Sequence, residues 1–127
     1  MTSSSITRYP TPLPLPFSKA VRAGGFLFLS GQIPMTDDGQ PLRGDIRTQT
    51  VNVMERVGAT LAELGSGFHA VTRVTVWLAD LAQFAEFNEA YRPYFEGAFP
   101  ARSTVQATLA YGAGIEIEVT AFVADAV

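Results

Sequence analysis

Chemistry in this chain falls to carboxylates and guanidinium groups, because little else is on offer. There is no cysteine among the 127 residues and only one histidine, His69. That removes disulfides, thiolate nucleophiles and cysteine metal sites together. A serine–histidine triad would have to run through His69, which sits beside Ser66-Gly67-Phe68 and reads as a surface turn residue. The run Ile115-Glu116-Ile117-Glu118-Val119 alternates, which puts both glutamates on one face of a strand and the isoleucines on the other. Such a pair serves a solvated strand face as readily as it lines a site. Phe99-Pro100-Ala101-Arg102-Ser103-Thr104 places an arginine at a strand start after a rigid turn. A guanidinium is a planar, always-charged fork that grips a carboxylate bidentately, or simply a surface ion-pair partner. Ser30, before Gly31, offers a hydroxyl beside open backbone, or one satisfied by its own strand. Asn88 sits on an aromatic segment as a further polar candidate. Gly112-Ala113-Gly114 lacks the GK[ST] of a phosphate loop and reads as a turn.

These groups need elements to hold them. The prolines at 10, 12, 14 and 16 alternate, predicting an extended, polyproline-like lead-in over residues 1–16. Phe17 to Arg22 and Phe26 to Ser30 read as a hairpin across Gly24-Gly25. Asp45 is placed to cap a first helix whose buried stripe runs Ile46, Thr50, Val53, Met54, Val57, Leu61, Leu64, with Gly65 as its stop. Val74, Val76 and Leu78 alternate as a strand. Asp80 opens a second helix with Phe84, Phe87, Tyr91 and Phe95 inward, and Pro93 should kink or shorten its last turn. Arg102 to Leu109 and Ile115 to Val123 are two more strands.

This order predicts an α+β fold in one domain, residues 1–127: a mixed sheet with two helices packed on one face. The other face would carry Thr75, Trp77 and Phe122, too apolar for water, and so predicts a partner, most simply a second copy of the chain. The net charge is −3 with scattered basic residues, which makes nucleic acid a poor first expectation. No stretch approaches the roughly 20 apolar residues of a membrane span. The start lacks the pattern of a secretory leader, so the cytoplasm is expected by default.

Taken in order, Leu29-Ser30-Gly31-Gln32-Ile33-Pro34, Val76-Trp77-Leu78-Ala79-Asp80-Leu81, Phe87-Asn88-Glu89-Ala90-Tyr91, Phe99-Pro100-Ala101-Arg102-Ser103 and Ile115-Glu116-Ile117-Glu118 resemble the Rid family of reactive intermediate deaminases, also called YjgF-like or L-PSP-endoribonuclease-like. The resemblance runs from about Pro16 to Val123. It implies a chorismate-mutase-like fold, a homotrimer with sites between subunits, and hydrolysis of 2-imino acids to 2-keto acids and ammonia without cofactor or metal. By the same resemblance Arg102 binds the substrate carboxylate, Glu116 holds the attacking water, and Ser30, Gly31 and Asn88 line the site. Two positions depart from the better-known deaminases: Phe17 replaces a tyrosine and Thr104 a cysteine. The loop from Tyr111 to Gly114 replaces a Leu-Pro turn. The lost hydroxyl at Phe17 predicts preference for apolar substrate side chains. Other readings are a non-catalytic binder of small carboxylates, a deaminase of a larger ring-opened enamine and, against the acidic balance, an endoribonuclease.

Overall fold

A computed structural model describes residues 5–124. Its strands are β1 (Ile6–Pro10), β2 (Ser18–Ala23), β3 (Phe26–Leu29), β4 (Val71–Leu78), β5 (Ala101–Gln106) and β6 (Ile115–Phe122). They form one sheet in the order β1-β2-β3-β6-β4-β5. Only β4 and β5 run parallel; the other pairings are antiparallel. The mixed sheet with helices on one face is therefore as expected. The two helices are α1 (Ile46–Glu63) and α2 (Phe84–Tyr91).

The sequence stripe of α1 is buried from Ile46 through Leu61, while Leu64 packs on the core from its margin. Asp45 caps the helix by accepting a hydrogen bond from the Thr48 amide at 2.8 Å. Gly65 takes a left-handed φ of +86° directly after the C-cap, a conformation that costs glycine little. The stripe meets Val74, Val76 and Leu78 of β4 and the inward Ile115, Ile117 and Val119 of β6, all essentially excluded from water. Alternation then sends Glu116 and Glu118 to the opposite face.

Four expectations need correction. The lead-in is not uniformly polyproline-like: Ile6–Pro10 pairs with β2, because Ile6, Thr7 and Tyr9 favour strands and Pro10 stands at the strand's end, where a missing N–H is tolerated. Residues 1–4 of that segment lie outside the described residues. Phe17 sits outside its expected strand, which starts at Ser18. The strand starting near Arg102 stops at Gln106 rather than Leu109, where the parallel ladder to β4 ends. Asp80 caps a 3-10 turn, Leu81–Gln83, and not α2 itself. As expected, Pro93 ends the α-helical run: the chain passes at Arg92 into a 3-10 turn through Phe95.

The face away from the helices is open in the single chain. Phe26, Phe28 and Phe122 are 41%, 46% and 51% exposed there, with Val105 beside Trp77. Phe26 and Phe122 meet edge to face, 6.1 Å apart.

Candidate functional site

Arg102 and Glu116 occupy opposite faces of the sheet. Arg102 pairs in register with buried Val74 and so points toward α2. Glu116 pairs with Trp77 and points to the open face. Each lines a separate hollow, and neither hollow contains both residues.

The Arg102 hollow is small, about 250 Å³, and is shared with Asn88, Tyr91, Arg92, Phe99 and Pro100. α2 turns its aromatic face onto the arginine. The guanidinium carbon lies 5.6, 5.3 and 5.0 Å from the ring centres of Phe84, Phe87 and Tyr91. Cation–π attraction holds the group without consuming its N–H donors. No carboxylate among the described residues forms an ion pair with it. A fork unpaired by any acid among the described residues is available to an outside anion. The Tyr91 hydroxyl is buried beside it, and burial pushes that phenol above its ordinary range, while the Arg102 charge pulls it partly back. Among the described residues, neither the Tyr91 hydroxyl nor the buried Thr104 Oγ1 finds a hydrogen-bond partner of ordinary geometry. Thr104 shares the strand face of Arg102, two residues on.

Glu116 belongs to a larger cleft of about 900 Å³, bounded by residues of the 11–19 segment, the 30–39 stretch, one flank of α1 and the Ala110-Tyr111 turn. Phe17, Ser30 and Gly31 stand in the same cleft. The chain leaves β3 at Leu29 and continues beside β6, where the Gln32 and Ile117 backbones exchange hydrogen bonds of 2.8 and 3.1 Å. That course brings Gly31 under the Glu116 carboxylate. A Cβ at position 31 would overlap the carboxylate oxygen and lie 2.9 Å from Cδ, so any larger residue there would have to push the Glu116 carboxylate out of its present place. Ser30 takes its bland role: Oγ donates to the Ser18 carbonyl at 2.6 Å, tying β3 to β2. Sequence left open whether burial or an arginine would govern Glu116. Burial governs, followed by repulsion from Glu118, and both push the carboxyl above the usual carboxylate range. His69 is exposed in a 3-10 turn, and no cluster of three or more metal-ligating side chains occurs among the described residues.

The chain and its fold have relatives among known proteins. The model of the family described as Endoribonuclease L-PSP matches residues 11–123. The chain belongs to the Rid/YjgF/L-PSP family. A RutC family protein of Pyrococcus abyssi is 41% identical over 114 residues, 87% of this chain and 90% of its own length. The mitochondrial protein MMF1 of Saccharomyces cerevisiae is 39% identical over 116 residues, 91% and 80% of the two chains. The crystal structure of yeast Mmf1 superposes with a TM-score of 0.89 at 36% identity, covering 94% of this chain and all of that one. The chloroplastic Reactive Intermediate Deaminase A of Arabidopsis thaliana is 39% identical over 105 residues, covering 81% of this chain and 56% of the plant protein.

Within this Rid chain, two side chains read from sequence as core or turn stand at the hollows. Tyr91 was part of an aromatic stripe. Its hydroxyl is the one available signal, since a buried phenol needs a partner. Tyr111 lines the Glu116 cleft. An aromatic within a glycine-bearing turn was the only hint in the sequence.

Proposed function

We propose that the protein hydrolyses 2-imino acids, with their enamine tautomers, to 2-keto acids and ammonia. The observation that carries this reading is the division of labour between the two hollows. One holds a caged, acid-free guanidinium, and the other a half-buried carboxylate seated on glycine. A family relative named as a reactive intermediate deaminase supports the same reaction class.

Arg102 would grip the substrate carboxylate with its free fork, fixing the imine carbon in place. Glu116 would accept a proton from water as its oxygen attacks that carbon. The C=N bond becomes a C–N single bond and its electron pair goes to nitrogen, which takes up a proton. As the tetrahedral intermediate collapses, its hydroxyl gives up its proton, the amino nitrogen takes up a further one, the C–N bond breaks, and C=O forms as ammonia leaves. A carboxyl with a raised pKa is suited to this, since it holds and releases a proton nearer to neutral pH. An imine is already electrophilic, so the inventory of the chain suffices.

One chain holds Arg102 and Glu116 on opposite sheet faces, so the working site is proposed to form between copies, in a homotrimer built on the open face of Trp77, Phe26, Phe28 and Phe122. Light scattering should give three times the chain mass at micromolar concentration; a monomer would defeat the assembly. The cytoplasmic placement belongs to the same proposal, to be checked by fractionation, since the yeast relative is named mitochondrial. No helix among the described residues is long and apolar enough to cross a membrane.

The deciding experiment is a coupled assay of ammonia and keto-acid release over several 2-imino acids generated in place, with Arg102→Ala as blank. Release that is equal in both proteins would refute the reading.

A further inference from the structure

The turn after β5 contains a residue that local energetics would not choose. Tyr111 has φ +59° and ψ +21°, and Gly112 follows at φ +69°. Left-handed backbone suits glycine or asparagine; a tyrosine there crowds its own Cβ against the chain. The turn is nevertheless firmly held. Arg43 donates to the Tyr111 carbonyl at 2.8 Å and reaches the Gly112 carbonyl at 3.4 Å. Gln49 of α1 accepts from the Gly114 amide at 2.9 Å, and the Ala79 amide donates to the Gly114 carbonyl at 3.0 Å. Four hydrogen bonds from three other segments therefore fix an unfavourable conformer in place.

That strain does nothing for the core. The Tyr111 side chain is 61% exposed, more than any other large hydrophobic residue among the described residues, and it stacks on no other aromatic ring there. It does line the cleft of Glu116, together with Leu15, Phe17, Ile33 and Met35. Strained backbone that persists without a packing return belongs to functional surfaces. We propose that Tyr111 is a specificity-determining wall of the Glu116 cleft, selecting 2-imino and 2-keto acids with aromatic or large branched apolar side chains over those with a methyl group. Phe17, Leu15 and Ile33 form an apolar floor for such a side chain, and the phenol ring supplies a flat surface for it to stack against. Glu116 lies in the same cleft for the reacting carbon. This deepens the imine-hydrolysis reading and rests on it only in taking the cleft of Glu116 as the ligand site.

The test is calorimetric binding of phenylpyruvate and pyruvate to the intact protein, in wild type, Tyr111→Phe and Tyr111→Gly. Wild type should bind phenylpyruvate about tenfold more tightly, and Tyr111→Phe should keep that ratio, because the ring and not the hydroxyl makes the contact. Tyr111→Gly should bring the ratio down to about twofold, with no loss of melting temperature, since glycine is at ease at this φ. An unchanged ratio in Tyr111→Gly overturns the proposal. So does a parallel fall in both affinities, which would mark the residue as a support of the loop, and so does a wild type that binds neither keto acid. Binding requires no turnover. A wild type that shows the expected ratios yet releases no ammonia from any imine overturns imine hydrolysis and leaves the role of Tyr111 standing.

Discussion

The two hollows of this chain treat charge in opposite ways. Around Arg102, three aromatic rings hold a cation against their π-faces, and no acid among the described residues pairs with it. Around Glu116, partial burial and a like-charged neighbour make the ionised form costly. The first arrangement cradles a guanidinium fork, which suits it to the recognition proposed for it. The second disfavours the charged form of a carboxyl, which suits it to the proton transfer proposed for it. A helix face built mainly of phenylalanine and tyrosine provides the first. A strand crossing above a glycine provides the second.

If that contrast is sound, the sharpest break comes at the carboxylate. Glu116→Gln keeps shape and hydrogen bonding but cannot take a proton. It should lower kcat by roughly a hundredfold or more, read as ammonia release. Glu118→Gln, exposed on the same strand face, should be much milder. Equal losses in the two variants would remove the assignment of proton transfer to Glu116.

Recognition should break differently. Arg102→Lys keeps the charge but loses the fork, and it should cost about ten- to a hundredfold in kcat/KM. Most of the loss is expected in KM, where uniform binding shows itself. A change confined to kcat would move Arg102 from recognition into the chemical step.

Separation of the hollows can be tested by mixing. Arg102→Ala and Glu116→Gln should each be inactive alone. Refolded together in equal amounts, they should regain about a quarter of the wild-type activity, the share of interfaces that pairs an intact arginine with an intact glutamate. No recovery would mean that both groups serve one chain.

The smallest effects concern pH. Under the proposed mechanism activity needs ionised Glu116, so the acid limb of kcat/KM should lie above the ordinary carboxylate range. Glu118→Gln removes one of the two causes of the raised pKa and should shift that limb to lower pH. The sign for stability follows from the same shift. The folded state binds this proton more tightly than the unfolded state. Its contribution is fully present below the unfolded pKa and is lost as pH rises through the folded one. Wild type should therefore lose slightly more melting temperature between acid and neutral pH than Glu116→Gln does. A larger loss in the variant would contradict the direction of the shift.

Local rules made much of this protein legible. Helical spacing gave the buried face of α1, Asp45 and Gly65 marked its limits, and strand alternation separated Glu116 and Glu118 from the isoleucines. Each is a property of a few neighbouring residues and of the period of the element. The same rules misjudged Ile6–Pro10, because the regular prolines that follow outweighed a strand whose pairing partner had not been located. The resemblance in five segments placed the chain in its family, and the candidate residues all fell at or beside one of the two hollows. Sequence by itself thus determined both helices, five of the six strands, the apolar open face and the poverty of reactive groups, which excluded thiol chemistry and left arginine and carboxylate. Only the tertiary structure decided that Arg102 and Glu116 face opposite ways, that Gly31 lies beneath the carboxylate, that burial rather than an arginine tunes it, and that Tyr111 is held strained at its cleft. Those depend on which strands become neighbours and in what register. That pairing is settled by burial over the whole chain, and no local window of residues contains it.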